Sequence, residues 1–420
     1  MKPRPNQEKS PQGELFRQEL ERLVDDKHPL VKLSHRMDWD FFDKEFGDKY
    51  SETNGRPALN TRLMVSVHYL KYAFNLSDED TLALWVENPY WQYFSGMIHF
   101  QHNFPMNASS MTRWRKRMGE KGAEQLLKET INAGIRMKAI RTVQLEQIHL
   151  DTSVSEKNIT HPTDAKLYYK CIRRLVHEAK LDKLDLRQTY KHVSKKALRL
   201  SQQYVHARQM KRARREIRHL KTWLGRVIRD IRRKSEGRMS PWLQKTVELS
   251  KRLYSQKRGD KNKLYSLHEP DICCIAKGKI HKKYEFGHKV SIAVTTKGNW
   301  VVGSHALPGN PYDGHTVACA LEKVEKLTGR NIKQVFADRG YHGHNNEGEA
   351  EIHIDKARRG RTPAKIWKLL KQRARIEPVI GHLKQDNRMG TNRLGGLLGN
   401  QVNSVLSGAG FNIRKLLRVL

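Results

Sequence analysis

The 420-residue sequence predicts a mixed α/β protein: an all-helical segment, then a sheet-bearing part interrupted after its first strand by a long basic helical insertion. Three observations carry this expectation. Leu59, Leu63, Met64, Val67 and Leu70 recur near helical spacing. From Val143 the pattern becomes that of strands, first at Gln147-Ile148-His149-Leu150 and again after Tyr284. Between them Ile217, Leu220, Leu224, Val227 and Ile231 keep a heptad-like seam among many Arg and Lys residues.

Composition narrows the partners. Lys and Arg number 80 against 44 Asp and Glu, a formal net charge of +36. An excess of that size points to a polyanion, and nucleic acid is the leading one, because each neutralised phosphate releases counterions. A merely solubilising charge and a membrane surface are the weaker readings. No apolar run approaches the ~20 residues needed to span a bilayer. Cys171, Cys273, Cys274 and Cys319 form no C-x-x-C pair, which argues against a zinc ribbon or a disulfide framework. The first residues, Met1 to Lys9, carry no apolar stretch typical of a signal peptide, so a cytoplasmic, reducing location is expected.

The elements follow in order. Residues 1–56 read as a basic N-terminal segment. Pro57 opens a helix to Tyr72. Ser77-Asp78-Glu79-Asp80 reads as a capping box before Thr81–Glu87. After the aromatic run Tyr90–Phe94, Asn107-Ala108-Ser109-Ser110 launches a basic helix bearing Arg113, Lys116 and Arg117. Two short helices before a basic one resemble a helix-turn-helix, and residues 57–140 are expected to form a DNA-binding domain in which those three cations meet DNA. Read blandly, the same residues make a solvated helix face with Trp114 in the core.

Gln144–Val154 fits one strand. Thr163-Asp164 caps the insertion, 165–261, expected to be a helical hairpin turning near Gly237 and Pro241, with Trp223 and Trp242 packed inside it. Strands are expected at Tyr284–Thr295 and Trp300–Ala306, a turn at Pro308–Gly314, a helix at Thr316–Leu327, and short strands at Gln334–Asp338 and Ala350–Asp355. A helix from about Pro363 carries Glu377, broken at Gly395–Asn400 before a last helix to Leu420. With the insertion removed, residues 141–164 and 262–420 have the element order of a ribonuclease H-like catalytic domain.

Acidic residues fall at chemically suggestive places in that order. Asp151 and Asp338 end apolar strand runs, and Glu377 sits between Arg373 and Lys384 on the late basic helix. At 3.6 residues per turn Arg373, Glu377 and Lys384 share a face, which Arg388 continues. Two acids at strand ends and a third on a helix suit a site that holds two Mg²⁺ ions for phosphodiester chemistry, with Mn²⁺ able to substitute. Arg373, Lys384 and Arg388 would position phosphates. The bland readings are a helix N-cap for Asp164, a turn former for Asp313, a strand-end residue for Asp355, surface ion pairs for Arg373 and Lys384, and strand-end polarity for His288 and Lys289. His342 and His344 lack a third ligand at zinc spacing.

At these residues the chain resembles the DDE transposases of bacterial insertion sequences, most closely the IS5 family. Asp338-Arg339-Gly340-Tyr341 is similar to the family's element around the second acid. Arg373, Glu377 and Lys384 match its Y-x2-R-x3-E-x6-K signature, with Leu370 in the tyrosine's place. Leu150–Ser153, Gly287–Val290, Pro308–Asp313 and the N-terminal helices also resemble family segments. The resemblance runs from about residue 57 to the C-terminus. It implies a metal-dependent catalytic triad of Asp151, Asp338 and Glu377. It also implies binding of terminal inverted repeats, cleavage at the element's ends, joining of 3′-OH ends to target DNA, and assembly as a homodimer or larger complex on DNA at the bacterial nucleoid. The alternatives are a domesticated, non-catalytic DNA-binding protein and a ribonuclease H-like nuclease that cuts without joining.

Overall fold

The computed structural model describes residues 2, 19–50, 58–235, 237–276, 282–354 and 363–420. In chain order the elements are α1 (Leu20–Leu23), α2 (Pro29–Arg36), α3 (Trp39–Gly47), α4 (Thr61–Ala73), α5 (Asp78–Glu87), α6 (Pro89–Phe94), α7 (Ala108–Arg136), β1 (Gln147–Lys157), α8 (Asp164–Leu181), α9 (Lys191–His206), α10 (Met210–Lys234) and α11 (Pro241–Ser255). Then come β2 (Cys273–Ile275), β3 (Glu285–Thr295), β4 (Val301–Ala306), α12 (Val317–Thr328), β5 (Gln334–Ala337), β6 (Glu351–Ile354), α13 (Ala364–Gln372), α14 (Ile376–Gln385), β7 (Thr391–Asn392) and α15 (Gly396–Leu417). Packing divides them into two compact units, one of residues 1–156 with 288–420 and one of residues 157–287.

In the first unit the sheet runs in the order β3-β1-β5-β6, with β4 beside β3 and β7 beside β1. β1 and β5 are parallel, as are β5 and β6, whereas β4 lies antiparallel to β3. The central strands are buried nearly throughout, so they read as apolar runs without clean alternation. Among the described residues the N-terminal helices share one core with the sheet. Leu63, Val67 and Leu70 of α4, Leu126 and Ile131 of α7, Ile148 and Leu150 of β1, Val335 of β5 and Val405 and Ile413 of α15 belong to one buried cluster. Helix α15 lies against α4, α7 and β4. Small residues permit this: a Cβ on Gly410 would come within 2.6 Å of the Tyr72 backbone. Asn412 answers the backbone polarity at that junction, accepting from Val301 N at 3.0 Å and donating to Val301 O at 2.8 Å.

The helix expected from Pro57 starts at Thr61, where Asn60 accepts from Arg62 N at 2.8 Å; Pro57 itself lies outside the described residues. Ser77 caps α5 through Asp80 N. Helix α7 is kinked at Gly119, whose φ of 68° no ordinary helical residue adopts. Strand β6 ends at Ile354, and Asp355 lies outside the described residues.

The second unit is not a hairpin. Among the described residues it holds four helices, α8–α11, and β2 pairs antiparallel with Glu285–Gly287. The seam residues Leu220, Leu224, Val227 and Ile231 are buried as one stripe of α10 against Ile172 and Leu175 of α8 and Val247 of α11. The turn near Gly237 and Pro241 is present, but left-handed backbone at Lys183, Tyr190 and Arg208 adds two further breaks. Trp223 stacks on Tyr190 at 5.9 Å, whereas Trp242 is 69% exposed rather than packed inside. Thr163, not Asp164, caps α8, accepting from Lys166 N.

Candidate active site

The sheet of the first unit sets the geometry. β1 and β5 pair in parallel with His149 opposite Phe336. Two residues further on, that register places Asp151 level with Asp338, and the two-residue period of a strand puts both on one face. β5 ends at Ala337, and Asp338 opens a short 3₁₀ turn over Arg339–Tyr341, accepting from Gly340 N at 2.9 Å. Asp151 accepts from its neighbour's Thr152 N at 2.7 Å. Both aspartates are half-buried.

Asp313 lies across Gly340 from Asp338. Asp313 starts the 3₁₀ turn Asp313–Thr316. Its Oδ1 accepts from the Thr152 hydroxyl at 3.0 Å and from Lys289 Nζ at 3.0 Å, and Lys289 also donates to Pro311 O at 2.6 Å. Lys289, on β3, is 7% exposed, so this is a nearly buried ion pair. Read from sequence as a turn former, Asp313 lies across Gly340 from Asp338, while Asp151 stands inside β1 rather than at its end as the sequence suggested; the position of Asp313 in Pro308–Asp313, a segment resembling the family, was the available signal. Gly340 makes the approach possible: a Cβ there would stand 3.0 Å from Asp338 Oδ1 and 3.6 Å from Asp313 Oδ2.

Tyr341, which closes the turn after Asp338, has no exposed surface. Its hydroxyl has no hydrogen-bond partner among the described residues. Burial, and then the charges of Asp151, Asp313 and Asp338, push its ionisation well above the usual phenol range, so it stays a neutral donor. On β1, His149 is fully buried; desolvation, with Arg373 and Arg375 nearby, lowers it to about 4 and keeps it neutral.

The basic motif is arranged differently from the single helical stripe expected. Pro378 has no N–H to bond the carbonyl of Ala374, so one helical hydrogen bond is lost from this stretch. The chain makes a 3₁₀ turn at Arg373–Arg375 and continues as α14, with Pro378 in its tolerant first turn. The turn and both helices are contiguous, with right-handed helical backbone at Gln372, Arg373, Arg375 and Ile376. The Arg373 guanidinium stands 4.0 Å from Asp151 Oδ2 and is 16% exposed. Glu377, in the first turn of α14, is exposed. Arg388 lies past the end of α14 with φ 65° and donates to Asn75 O at 3.1 Å, so it does not extend the stripe.

On α7, Arg113, Lys116 and Arg117 are exposed, and Arg117 lies over the Tyr50 ring. Trp114 is buried. The residue between them, Arg115, is also buried and makes a bidentate pair with Asp78 at 2.8 and 2.6 Å, while Lys71 reaches Asp78 at 2.6 Å. Burial opposes ionisation of Asp78, but Arg115 and Lys71 outweigh it and hold the carboxyl far below its usual range. A cleft of about 540 Å³ beside this triad is lined by Lys116, Arg388, Arg393 and Leu398, among others. A second of about 350 Å³ shares Ser77, Arg388 and Arg393 and reaches Lys384.

Two family profiles match the chain. One, described as a transposase domain (DUF772), covers residues 18–117; the other, a transposase DDE domain, covers residues 275–407. The second spans Asp313, Asp338, Arg373 and Glu377. The chain belongs to the DDE transposases of insertion sequences. A Rhizobium meliloti protein named "Uncharacterized protein ORF8 in nfe locus" is 45% identical over 206 residues, which is 49% of this chain and 99% of that protein. No solved structure matches the chain significantly. Enzymes of this class act on DNA and generally use divalent metals. No helix among the described residues is long and apolar enough to cross a membrane.

Proposed function

We propose that the protein is an IS5-family transposase that binds the terminal inverted repeats of its element, cleaves DNA at the ends and joins the freed 3′-OH groups to target DNA. The observation carrying this reading is the level placement of Asp151 and Asp338 on adjacent parallel strands, with the Arg373 guanidinium beside Asp151. The sheet order with the helical unit following its first strand supports a ribonuclease H-like fold.

The residues fit a divalent cation in donor chemistry. Carboxylate oxygens are hard ligands, and with no Cβ at Gly340 the place beside Asp338 Oδ1 and Asp313 Oδ2 is not filled by a side chain. Among the described residues no three His, Cys, Asp or Glu side chains are already gathered as a metal site. Asp151, Asp338 and Glu377 would hold Mg²⁺, or Mn²⁺ in its place. A pair of such ions would activate the attacking oxygen and stabilise the leaving one. Arg373 holds a phosphate oxygen beside the aspartates and offsets their charge as the polyanion approaches. His149, neutral and buried, adds no cation beneath the site.

The remaining assignments follow. Residues 57–140 recognise the ends through Arg113, Lys116 and Arg117, while Lys384 and Arg388 contact backbone phosphates. Residues 141–164 and 262–420 carry the chemistry, and the 165–261 helices serve a homodimer or larger assembly on paired ends, in the cytoplasm at the nucleoid. Strand transfer with pre-cleaved ends tests joining: the wild-type protein should insert them into plasmid DNA with Mg²⁺, and Asp338→Asn should not. Cleavage of intact ends without any joining would reduce the protein to a nuclease.

A further inference from the structure

Residues 157–287 hold 36 Lys and Arg against 12 Asp and Glu, so two-thirds of the net charge of +36 belongs to the second unit. Helix α10 concentrates it. Its buried seam, Leu220, Leu224, Val227 and Ile231, runs along one side. At about 100° per residue the opposite side is the row Lys211, Arg215, Arg218, Thr222, Arg226, Arg229 and Arg233, all exposed. Six of these seven residues are cations and none is an acid. At 1.5 Å per residue the row is about 33 Å long, close to the ~34 Å of one turn of duplex DNA. A basic helix face is ordinarily just solvated surface, and two features set this one apart. First, its charge is not balanced locally. The two acids of α10, Glu216 and Asp230, are buried and meet the row only near its ends, 3.5 Å from Arg215 and 2.6 Å from Arg233. Arg218, Arg226 and Arg229 make no ion pair among the described residues. Second, Lys211, Arg212, Arg214 and Arg215 crowd the N-terminal end of α10, which has no first-turn acid and no side-chain cap. The helix dipole disfavours cations there, and like charges three and four residues apart repel. The isolated helix gains nothing from either arrangement; a polyanion laid along the row offsets both.

We propose that the exposed row of α10 is a phosphate rail that holds duplex DNA along its backbone without reading its sequence, a site in the second unit that rests on the DNA-directed reading above. A straight helix that reads bases reaches their edges with three or four side chains, whereas this row keeps its charge over about six turns, so most of its contacts fall on phosphates. A second copy of the same row is the wrong partner, because two such surfaces repel.

The test is binding of the full-length protein to a random-sequence duplex of about 30 base pairs, followed by fluorescence anisotropy between about 50 and 200 mM salt. One variant combines Arg218→Gln, Arg226→Gln and Arg229→Gln. A control combines Lys245→Gln, Lys251→Gln and Lys257→Gln, which removes the same charge from exposed positions on α11 and just after it. Gln is a good helix former, and melting temperatures check that both variants fold. The rail variant should lower the slope of log K against log salt by about 3 and the affinity at least about tenfold, while the control changes the slope by less than about 1. The rail variant should also keep the wild-type preference for the inverted repeat over random duplex. Equal losses in the two variants would mean diffuse charge rather than a rail, and overturn the proposal. So would an unchanged slope in the rail variant, or duplex RNA or single-stranded DNA outcompeting duplex DNA on the wild type. Any of these with end cleavage by the wild type intact leaves the transposase reading standing; no duplex binding by the wild type overturns both.

Discussion

Asp78→Ala should destabilise the first unit strongly, because the substitution strands two buried cations. Arg115 and Lys71 side chains are each 5% exposed and Asp78 14%, so none of the three can recover its hydration by a small movement. Breaking a buried ion pair from one side costs about 3–5 kcal/mol, against ~1 kcal/mol or less for a surface pair. For a unit of this size that corresponds to a fall of roughly 10 °C in melting temperature. Lys71 would meet part of the cost by losing its proton, since burial and Arg115 already lower it to about 8. Replacing all three together, with Asp78→Leu, Arg115→Met and Lys71→Met, should recover much of the loss, because desolvation and attraction nearly cancel in such a triad. The same pair fixes the first turns of α7, from which Arg113, Lys116 and Arg117 project. Asp78→Ala should therefore weaken end-DNA binding even though it removes a negative charge from a basic cleft. The assays are urea unfolding and gel shift at matched salt. A loss under ~1 kcal/mol, or tighter DNA binding from the charge change alone, would refute the argument.

Three further outcomes follow. His68, His149 and His305 are buried and lowered by desolvation to about 3, 4 and 3, below their value in the unfolded chain. As pH falls below ~6.5 the unfolded chain takes up these protons first, so stability should drop by up to ~1.4 kcal/mol per pH unit for each histidine until the folded values are reached. Equal unfolding free energies at pH 7 and pH 4.5 would contradict this. Gly410→Ala should cost about 1–3 kcal/mol by forcing α15 from Tyr72, while Gly381→Ala, with open space at its Cβ in α14, should stabilise by up to ~1 kcal/mol; thermal melts decide both. Arg393→Ala, at the edge shared by the two clefts, should weaken all duplex binding and reduce the slope of log K against log salt by about 1. An unchanged slope would place Arg393 outside the DNA path.

Legibility from sequence followed how local each signal was. Strand runs such as Gln334–Ala337 and the cap at Ser77 were readable because a few consecutive residues determine them. The spacing of Arg373, Glu377 and Lys384 suggested one helix, and the chain is helical there apart from a 3₁₀ turn at Arg373–Arg375, just ahead of Pro378. The second unit resembled a hairpin because breaks at Lys183, Tyr190 and Arg208 use left-handed non-glycine residues, which leave no composition signal. Asp313, Lys289 and Tyr341 meet only through the tertiary fold. Arg115 looked like its exposed basic neighbours, and only the position of Asp78 on α5 shows that it is buried and paired.

The most direct test of the central claim is Mg²⁺-dependent cleavage of a duplex carrying the element's terminal inverted repeat, comparing wild type with Asp338→Asn. The account predicts that wild type cuts at the repeat end and that Asp338→Asn shifts the same DNA with unchanged affinity and melting temperature but leaves it intact. Wild-type cleavage by Asp338→Asn would contradict it.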